Sequence, residues 1–202
     1  MALLSRRRQG AASIVAPDGK RLVLHVGCGP VDHYTLDEDY RRPEWHEVRL
    51  DIDPGVKPDI VASITDMSPV PDASVDAVFS HHNIEHVFSH EVPKVLSEFL
   101  RVLRPGGEVL IATPDLQSLG RALAAGRIEE PLYRAEVGDV AALDIVYGLR
   151  SDIARGREYM AHRTGFTPRT LARRLNQAGF VRVEVATTND YALWAKARRP
   201  TM

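Results

Sequence analysis

Leu22-Val23-Leu24-His25-Val26-Gly27-Cys28-Gly29-Pro30 is the stretch on which the fold turns. The run from Leu22 to Val26 is apolar on both faces apart from His25, as a parallel strand covered on both sides is. It stops at two glycines. Gly27 and Gly29 permit a tight turn and leave no side chain between their backbone amides and a bound small molecule. Taken alone, Gly-x-Gly means either an ordinary strand-to-loop turn or the approach of a nucleotide-type ligand.

Working outward, Val31 to Trp45 has no sustained helical apolar face and is interrupted at Pro43, so the helix expected after a first strand is short or irregular. Glu47 to Leu50 reads as a second strand, and Asp51-Ile52-Asp53-Pro54-Gly55 as the turn after it. Asp51 follows Gly29 by about 20 residues, the spacing at which a carboxylate reaches the ribose hydroxyls of a nucleoside. That favours the nucleotide over the plain turn. Asp59 to Ile64 is expected as a third strand, Thr65 to Ser74 as a loop and Val75 to Ser80 as a fourth strand. After the polar knot His81-His82-Asn83-Ile84-Glu85-His86, a helix is expected from Ser89 to Leu103. Ser89 would cap it, Pro93 falls in its first turns, and Val92, Val95, Leu96, Phe99, Leu100 and Leu103 share one face. Arg104-Pro105-Gly106-Gly107 ends it and leads into a fifth strand, Glu108 to Ala112.

Residues 115–163 read as helical pieces interrupted by Gly120, Gly126, Pro131, Gly138 and Gly148, an insertion suited to a cover or lid. Thr167 then caps a helix with Pro168 at its first position, Leu171 and Leu175 facing inward and Gly179 at its end. Phe180 to Ala186 and Tyr191 to Ala197 complete the strands. Their short link permits only an antiparallel hairpin. Residues 1–20 form a polar lead-in that ends in Ala-Pro-Asp-Gly-Lys, a turn signal. The expectation is one α/β domain over 1–202: a doubly wound, Rossmann-like, seven-stranded sheet, mostly parallel with an antiparallel last strand.

The 202 residues carry a net charge of -1, which gives no electrostatic case for nucleic acid or for a membrane surface. Cys28 is the only cysteine, so no internal disulfide forms. Met1 to Leu4 is too short for a signal peptide, and no run approaches the ~20 apolar residues of a membrane helix. A cytoplasmic location is the expectation. Arg6, Arg7 and Arg8 read as a solvated tail or a basic arm.

Several motifs in order now carry a resemblance. Val-Leu-His-Val-Gly-Cys-Gly-Pro, Leu-Asp-Ile-Asp-Pro, Pro-Val-Pro-Asp-Ala-Ser-Val-Asp-Ala-Val-Phe-Ser, Ile-Glu-His-Val, Arg-Val-Leu-Arg-Pro-Gly-Gly and Gln-Ala-Gly-Phe resemble the class I S-adenosylmethionine-dependent methyltransferases, in particular the small bacterial type 11-like branch. The resemblance covers Leu22 to Pro114 and again Phe166 to Ala197. It implies S-adenosylmethionine as cofactor, with Gly27, Cys28 and Gly29 along its methionine and ribose, Asp51 on the ribose hydroxyls and Ile52 against the adenine. Ser63 and Ile64 fall at the adenine edge, where the family usually has an acidic residue; Asp66 is the substitute carboxylate. His81 and His82 fall where the family lines the methyl-transfer site. Pro30-Val31 departs from the further glycine and full helix of many members.

Methyl transfer needs orientation and, for a hydroxyl acceptor, a base. Histidine titrates near neutral pH, which makes His82 the first candidate and His86 the second. Glu85 and His86 also read as anchors for the following helix. His82-Asn83-Ile84-Glu85-His86 fits a His-x-x-Glu-His zinc pattern, in which His82 and His86 would share a helical face. No third ligand presents itself, and no metal is assigned. Cys28 reads as a small buried turn residue, and His25 as a core histidine. Most arginines after residue 120 read as a solvated face, with Arg150 and Arg163 as candidates for a phosphate or carboxylate on the acceptor. The expected activity is methylation at oxygen or nitrogen of a small-molecule or glycan-type acceptor. Its rivals are a non-catalytic S-adenosylmethionine-binding module and an NAD(P)-dependent oxidoreductase.

Overall fold

The computed structural model describes residues 14, 16–32, 35–135 and 137–201; Arg6 to Arg8, Met1 to Leu4 and most of the lead-in lie outside the described residues. β1 (Arg21–Val26), β2 (Trp45–Asp51), β3 (Ile60–Val61) and β4 (Val75–His81) run parallel, as does β5 (Leu103–Pro114) beside β4. β8 (Val181–Thr187) and β9 (Ala192–Arg198) complete a seven-stranded sheet of order β3-β2-β1-β4-β5-β9-β8. β9 is antiparallel to both of its neighbours, as the short hairpin link requires. The sheet is the mostly parallel α/β arrangement expected.

Side-chain alternation gives the sheet two packed faces. Leu22, Leu24 and Val26 of β1 join Val109 and Ile111 of β5 and Leu193 and Ala195 of β9 on one face. Against this face lie α1 (Val92–Val102) and α5 (Pro168–Gln177). Val92, Val95, Leu96, Phe99 and Val102 of α1 are all buried, each contributing ~1.5–3 kcal/mol. The other face gathers Val23, Ala77 and Phe79 with Tyr40 and Trp45, and with half-buried Trp194. Between β1 and β2 the described residues form only a short 3-10 turn at Glu38–Arg41, as the broken apolar pattern implied.

Four expectations are corrected. β3 keeps only Ile60 and Val61 of Asp59 to Ile64, because the chain turns at once through a Ser63–Asp66 bridge. α1 begins at Val92, and Ser89 does not cap it: the Glu91 carboxylate instead accepts from the Phe88 N–H, at 3.0 Å. β5 begins at Leu103, directly after the helix. The insertion is not wholly helical. After α2 (Leu116–Ala124) comes the hairpin β6 (Pro131–Ala135) and β7 (Gly138–Ala141), then α3 (Ala142–Tyr147) and α4 (Arg150–Ala154). Leu132 and Tyr133 of that hairpin pack on Leu119, Ala122 and Ile145, a small core of the insertion's own. Among the described residues no helix is long and apolar enough to cross a membrane.

Candidate active site

The chain leaves β1 toward β2 on one side and returns to β4 on the other, so the connections after β1 and β4 part at that point. Ligands of open α/β sheets sit in the crevice so formed, beyond the carboxyl ends of the strands. A cavity of about 860 Å³ lies there, bounded by Gly27, Gly29, Asp51 and Ile52 on one side and by His82, Asn83 and residues of the insertion on the other.

The glycine turn is locked to β2. Gly27 N–H donates to Leu50 O at 2.8 Å, Gly29 N–H to Asp51 Oδ2 at 2.9 Å, and Asp53 N–H to Asp51 Oδ1 at 2.9 Å. Arg49 adds a guanidinium bond to Gly29 O. Gly27 and Gly29 have φ of +63° and +60°, the left-handed region that favours glycine. A Cβ at Gly27 would lie 2.4 Å from Asn83 Cγ, whereas one at Gly29 would meet nothing within 4 Å. The Asn83 carboxamide therefore rests on the turn, and its buried Nδ2 has no hydrogen-bond partner among the described residues. An orphaned donor beside an open glycine backbone suits a ligand that brings its own oxygen acceptors, as a methionine carboxylate or ribose does. Each Asp51 oxygen, holding one N–H, keeps a lone pair for a ribose hydroxyl.

Ser63 and Ile64 also line the cavity, together with Thr65, whose hydroxyl lies 2.8 Å from Ser63 Oγ. Three expected cofactor residues do not line it. Asp66 turns away to accept from Ser68 N–H at 3.2 Å. Cys28 is buried in the turn, and burial pushes its thiol up to about 11. His81 is still in β4, two residues after Phe79 and so on the same face of the sheet as Phe79, where its ring stacks on Phe79 at 6.0 Å and meets Trp194 at 5.7 Å. Burial there, followed by the neighbouring His82, brings it down to about 4.

His82 takes φ +46° immediately after the strand, a strained left-handed conformation for a side-chain-bearing residue, and so lines the cavity that His81 does not. Its Nδ1 lies 3.2 Å from Oε1 of fully buried Glu85, whose Oε2 accepts from Thr113 Oγ1 at 3.0 Å. Burial alone would lower His82, but the hydrogen bond and charge of Glu85 outweigh it and raise it. Burial likewise pushes Glu85 up, and the His82 bond with the charges of His82, His86 and His162 outweighs that, leaving the carboxyl at about 2.

His86 borders the cavity, yet both ring nitrogens face backbone carbonyls: Nδ1 lies 3.3 Å from Ala161 O and Nε2 3.1 Å from His82 O. It braces the β4 loop against the insertion. His82 and His86 do not share an α-helical face, since only a 3-10 turn spans Ile84–His86. Donor atoms of Glu85, His86 and His162 lie within 4.8 Å of one another. A tetrahedral zinc with ligands at ~2.1 Å would draw its donors to within roughly 3.4 Å, and the carbonyls already hold both His86 nitrogens. These residues do not fit a metal.

From the insertion, Arg155 and Arg157 border the cavity and share Asp152, at 3.3 and 3.5 Å. Arg163 stacks its guanidinium over Phe88, 4.9 Å from the ring centre. Arg150, the other expected anion binder, is taken by Asp144 at 2.9 Å and is not among the cavity's residues. Tyr159 reaches across the mouth to donate to Asp53 Oδ2 at 2.9 Å. Sequence reading passed over Asn83, Thr65 and Tyr159 as cavity residues. Only Asn83, inside the polar knot, carried any local signal.

A seven-stranded sheet with its penultimate position reversed, a glycine turn tied to an aspartate after β2 and a cavity at the reversal of strand order define the class I S-adenosylmethionine-dependent methyltransferase fold. Solved structures share it: a Methanosarcina mazei S-adenosylmethionine-dependent methyltransferase superposes with TM-score 0.59 at 17% identity, over 92% of this chain and 95% of that one. A Burkholderia thailandensis 1,6-didemethyltoxoflavin-N1-methyltransferase, solved with 1,6-didemethyltoxoflavin and S-adenosylhomocysteine, superposes with TM-score 0.52 at 15% identity, over 90% and 72%. Residues 24–111 match the family model described as a methyltransferase domain. Among curated proteins, a probable S-adenosylmethionine-dependent methyltransferase of Mycolicibacterium smegmatis is 35% identical over 104 residues, 47% of this chain and 38% of that protein. The malonyl-[acyl-carrier protein] O-methyltransferase of Yersinia pestis is 33% identical over 113 residues, 50% and 40%. The chain thus spans about two fifths of the length of the curated relatives it matches.

Proposed function

We propose that this chain transfers a methyl group from S-adenosylmethionine to oxygen or nitrogen of a small-molecule or glycan-type acceptor. The observation that carries it is the convergence of the Gly27–Gly29 turn, Asp51 and His82 on one cavity where the strand order reverses. When bound, the cofactor supplies a methyl carbon activated by a sulfonium. Gly27, Gly29 and Asn83 hold its methionine and ribose, Asp51 its ribose hydroxyls, and Ile52, Ser63 and Ile64 its adenine. His82 takes the acceptor's proton. The insertion, the lid of this single domain, provides the acceptor side, where Arg163 offers a cation. Both atom types occur among the relatives, one named for O-methylation and one for N1-methylation. A chain whose one cysteine is buried suits the cytoplasm.

Calorimetric titration with S-adenosylhomocysteine is the test. Saturable binding that weakens at least tenfold in Asp51→Ala, about 1.4 kcal/mol, is expected. Saturable NADH binding without S-adenosylhomocysteine binding would overturn the reading. Cofactor binding with no methylated product across a broad acceptor panel would support a non-catalytic binding module instead.

A further inference from the structure

Glu85 is a carboxylate with no lysine or arginine beside it among the described residues, and it is fully buried. A buried anion is tolerated only where donors and positive charge surround it. Its neighbours are the Thr113 hydroxyl at 3.0 Å, His82 Nδ1 at 3.2 Å and His162 Nε2 at 3.9 Å. His162 Nδ1 lies 2.9 Å from Ile145 O, the partner of an Nδ1–H, so that ring donates away from the carboxylate. His82 thus makes the shortest imidazole contact. It is also the exposed member of the pair, with 40% of its side chain open against 1% for Glu85. Nδ1 is held, Nε2 makes no hydrogen bond among the described residues, and the side chain lines the cavity.

The geometry points to Glu85 as the positioning residue of this site: it fixes His82 in the Nδ1–H form and keeps Nε2 as the atom that accepts the acceptor's proton. This rests on the methyltransferase reading above. In the transfer, the acceptor's O–H or N–H bond breaks and its proton bonds to Nε2, while the freed lone pair bonds to the methyl carbon. The carbon–sulfur bond breaks with its electrons left on sulfur, so the positive charge passes from sulfonium to imidazolium. There the Glu85 carboxylate balances it. The left-handed backbone of His82 is the strain that this placement costs.

The groups facing His82 are Glu85, His81 at 4.6 Å between ring centres, His86 through the His82 carbonyl, His162 across Glu85, and Asp190 from the β8–β9 link. The test is nitrogen-detected NMR titration of the His82 imidazole in the intact chain. Wild type is expected to show Nδ1–H below saturation and to titrate above an ordinary histidine. In Glu85→Gln its proton affinity falls at least tenfold, and in Glu85→Asp it recovers in part. Thr113→Val strips the carboxylate of its other donor and moves the same affinity upward severalfold, which keeps the test decisive where Glu85→Gln does not fold. S-adenosylhomocysteine binding stays within twofold in all three, so loss of cofactor binding in wild type is a failure of the methyltransferase reading alone. An unchanged His82 titration in folded Glu85→Gln, or in Thr113→Val, overturns the positioning role.

Discussion

His81 and His82 are adjacent and chemically identical, yet the strand sends them to opposite faces. His81, packed between Phe79 and Trp194, is held down to about 4 by burial, below its ordinary 6.5. A group depressed on folding binds protons more readily when unfolded, so its contribution is complete above pH 6.5 and is lost as pH falls toward 4. The loss reaches at most about 3 kcal/mol at ~1.4 kcal/mol for each tenfold in proton affinity. His81→Phe, which keeps a ring in place, should flatten that part of the stability–pH curve in urea unfolding. The glycines separate fold from function in the same way. Gly27→Ala meets Asn83 at 2.4 Å as well as a left-handed backbone and should lose several kcal/mol, whereas Gly29→Ala pays only the backbone term of ~1–2 kcal/mol. Gly29→Ala should nonetheless lose S-adenosylhomocysteine affinity, because its methyl enters the open side of the turn. Of the residues that line the cavity, Gly27, Gly29 and Asp51 were legible from turn chemistry and spacing, which are local properties, and His82 from the family resemblance and the chemistry of histidine. The orientation of His81 needed the end of β4, one residue later than expected.

The insertion meets the cofactor side of the cavity at Tyr159, whose hydroxyl bonds Asp53 across 106 positions of sequence. Removing one hydrogen bond of ~0.5–1.5 kcal/mol with Tyr159→Phe should speed S-adenosylhomocysteine release by roughly 2- to 10-fold in stopped-flow, with thermal stability little changed. An unchanged release rate would show that this contact does not latch the mouth. α1 and α5 were legible because their apolar residues recur at helical spacing, and the Thr167 cap of α5 accepts from Thr170 N–H at 3.3 Å as its sequence implied. β6 and β7 were not. Residues 131–141 carry too few alternating apolar positions to outvote the helical pattern around them, and their pairing is stabilised by packing on Leu119, Ala122 and Ile145.

Across the whole molecule, the reversed strand β9 joins β5 to β8, and its Leu193, Ala195 and Ala197 are fully buried in the core beneath α5. The core that runs from β2 to β9 should unfold as one unit. Leu193→Ala should cost ~2–5 kcal/mol and lower the urea midpoint with an unchanged denaturant slope. A second transition appearing in that variant would divide the domain. The sequence by itself determined the strand succession of the seven-stranded sheet, the antiparallel close, the glycine turn and the aspartate beyond β2, because each rests on periodicity, backbone freedom or link length within a few residues. Only the tertiary structure decided that Glu85 would lie between Thr113, His82 and His162, that both nitrogens of His86 would meet carbonyls, and that Asn83 would rest on Gly27. Those arrangements depend on burial and on partners from distant elements, which local pattern does not encode.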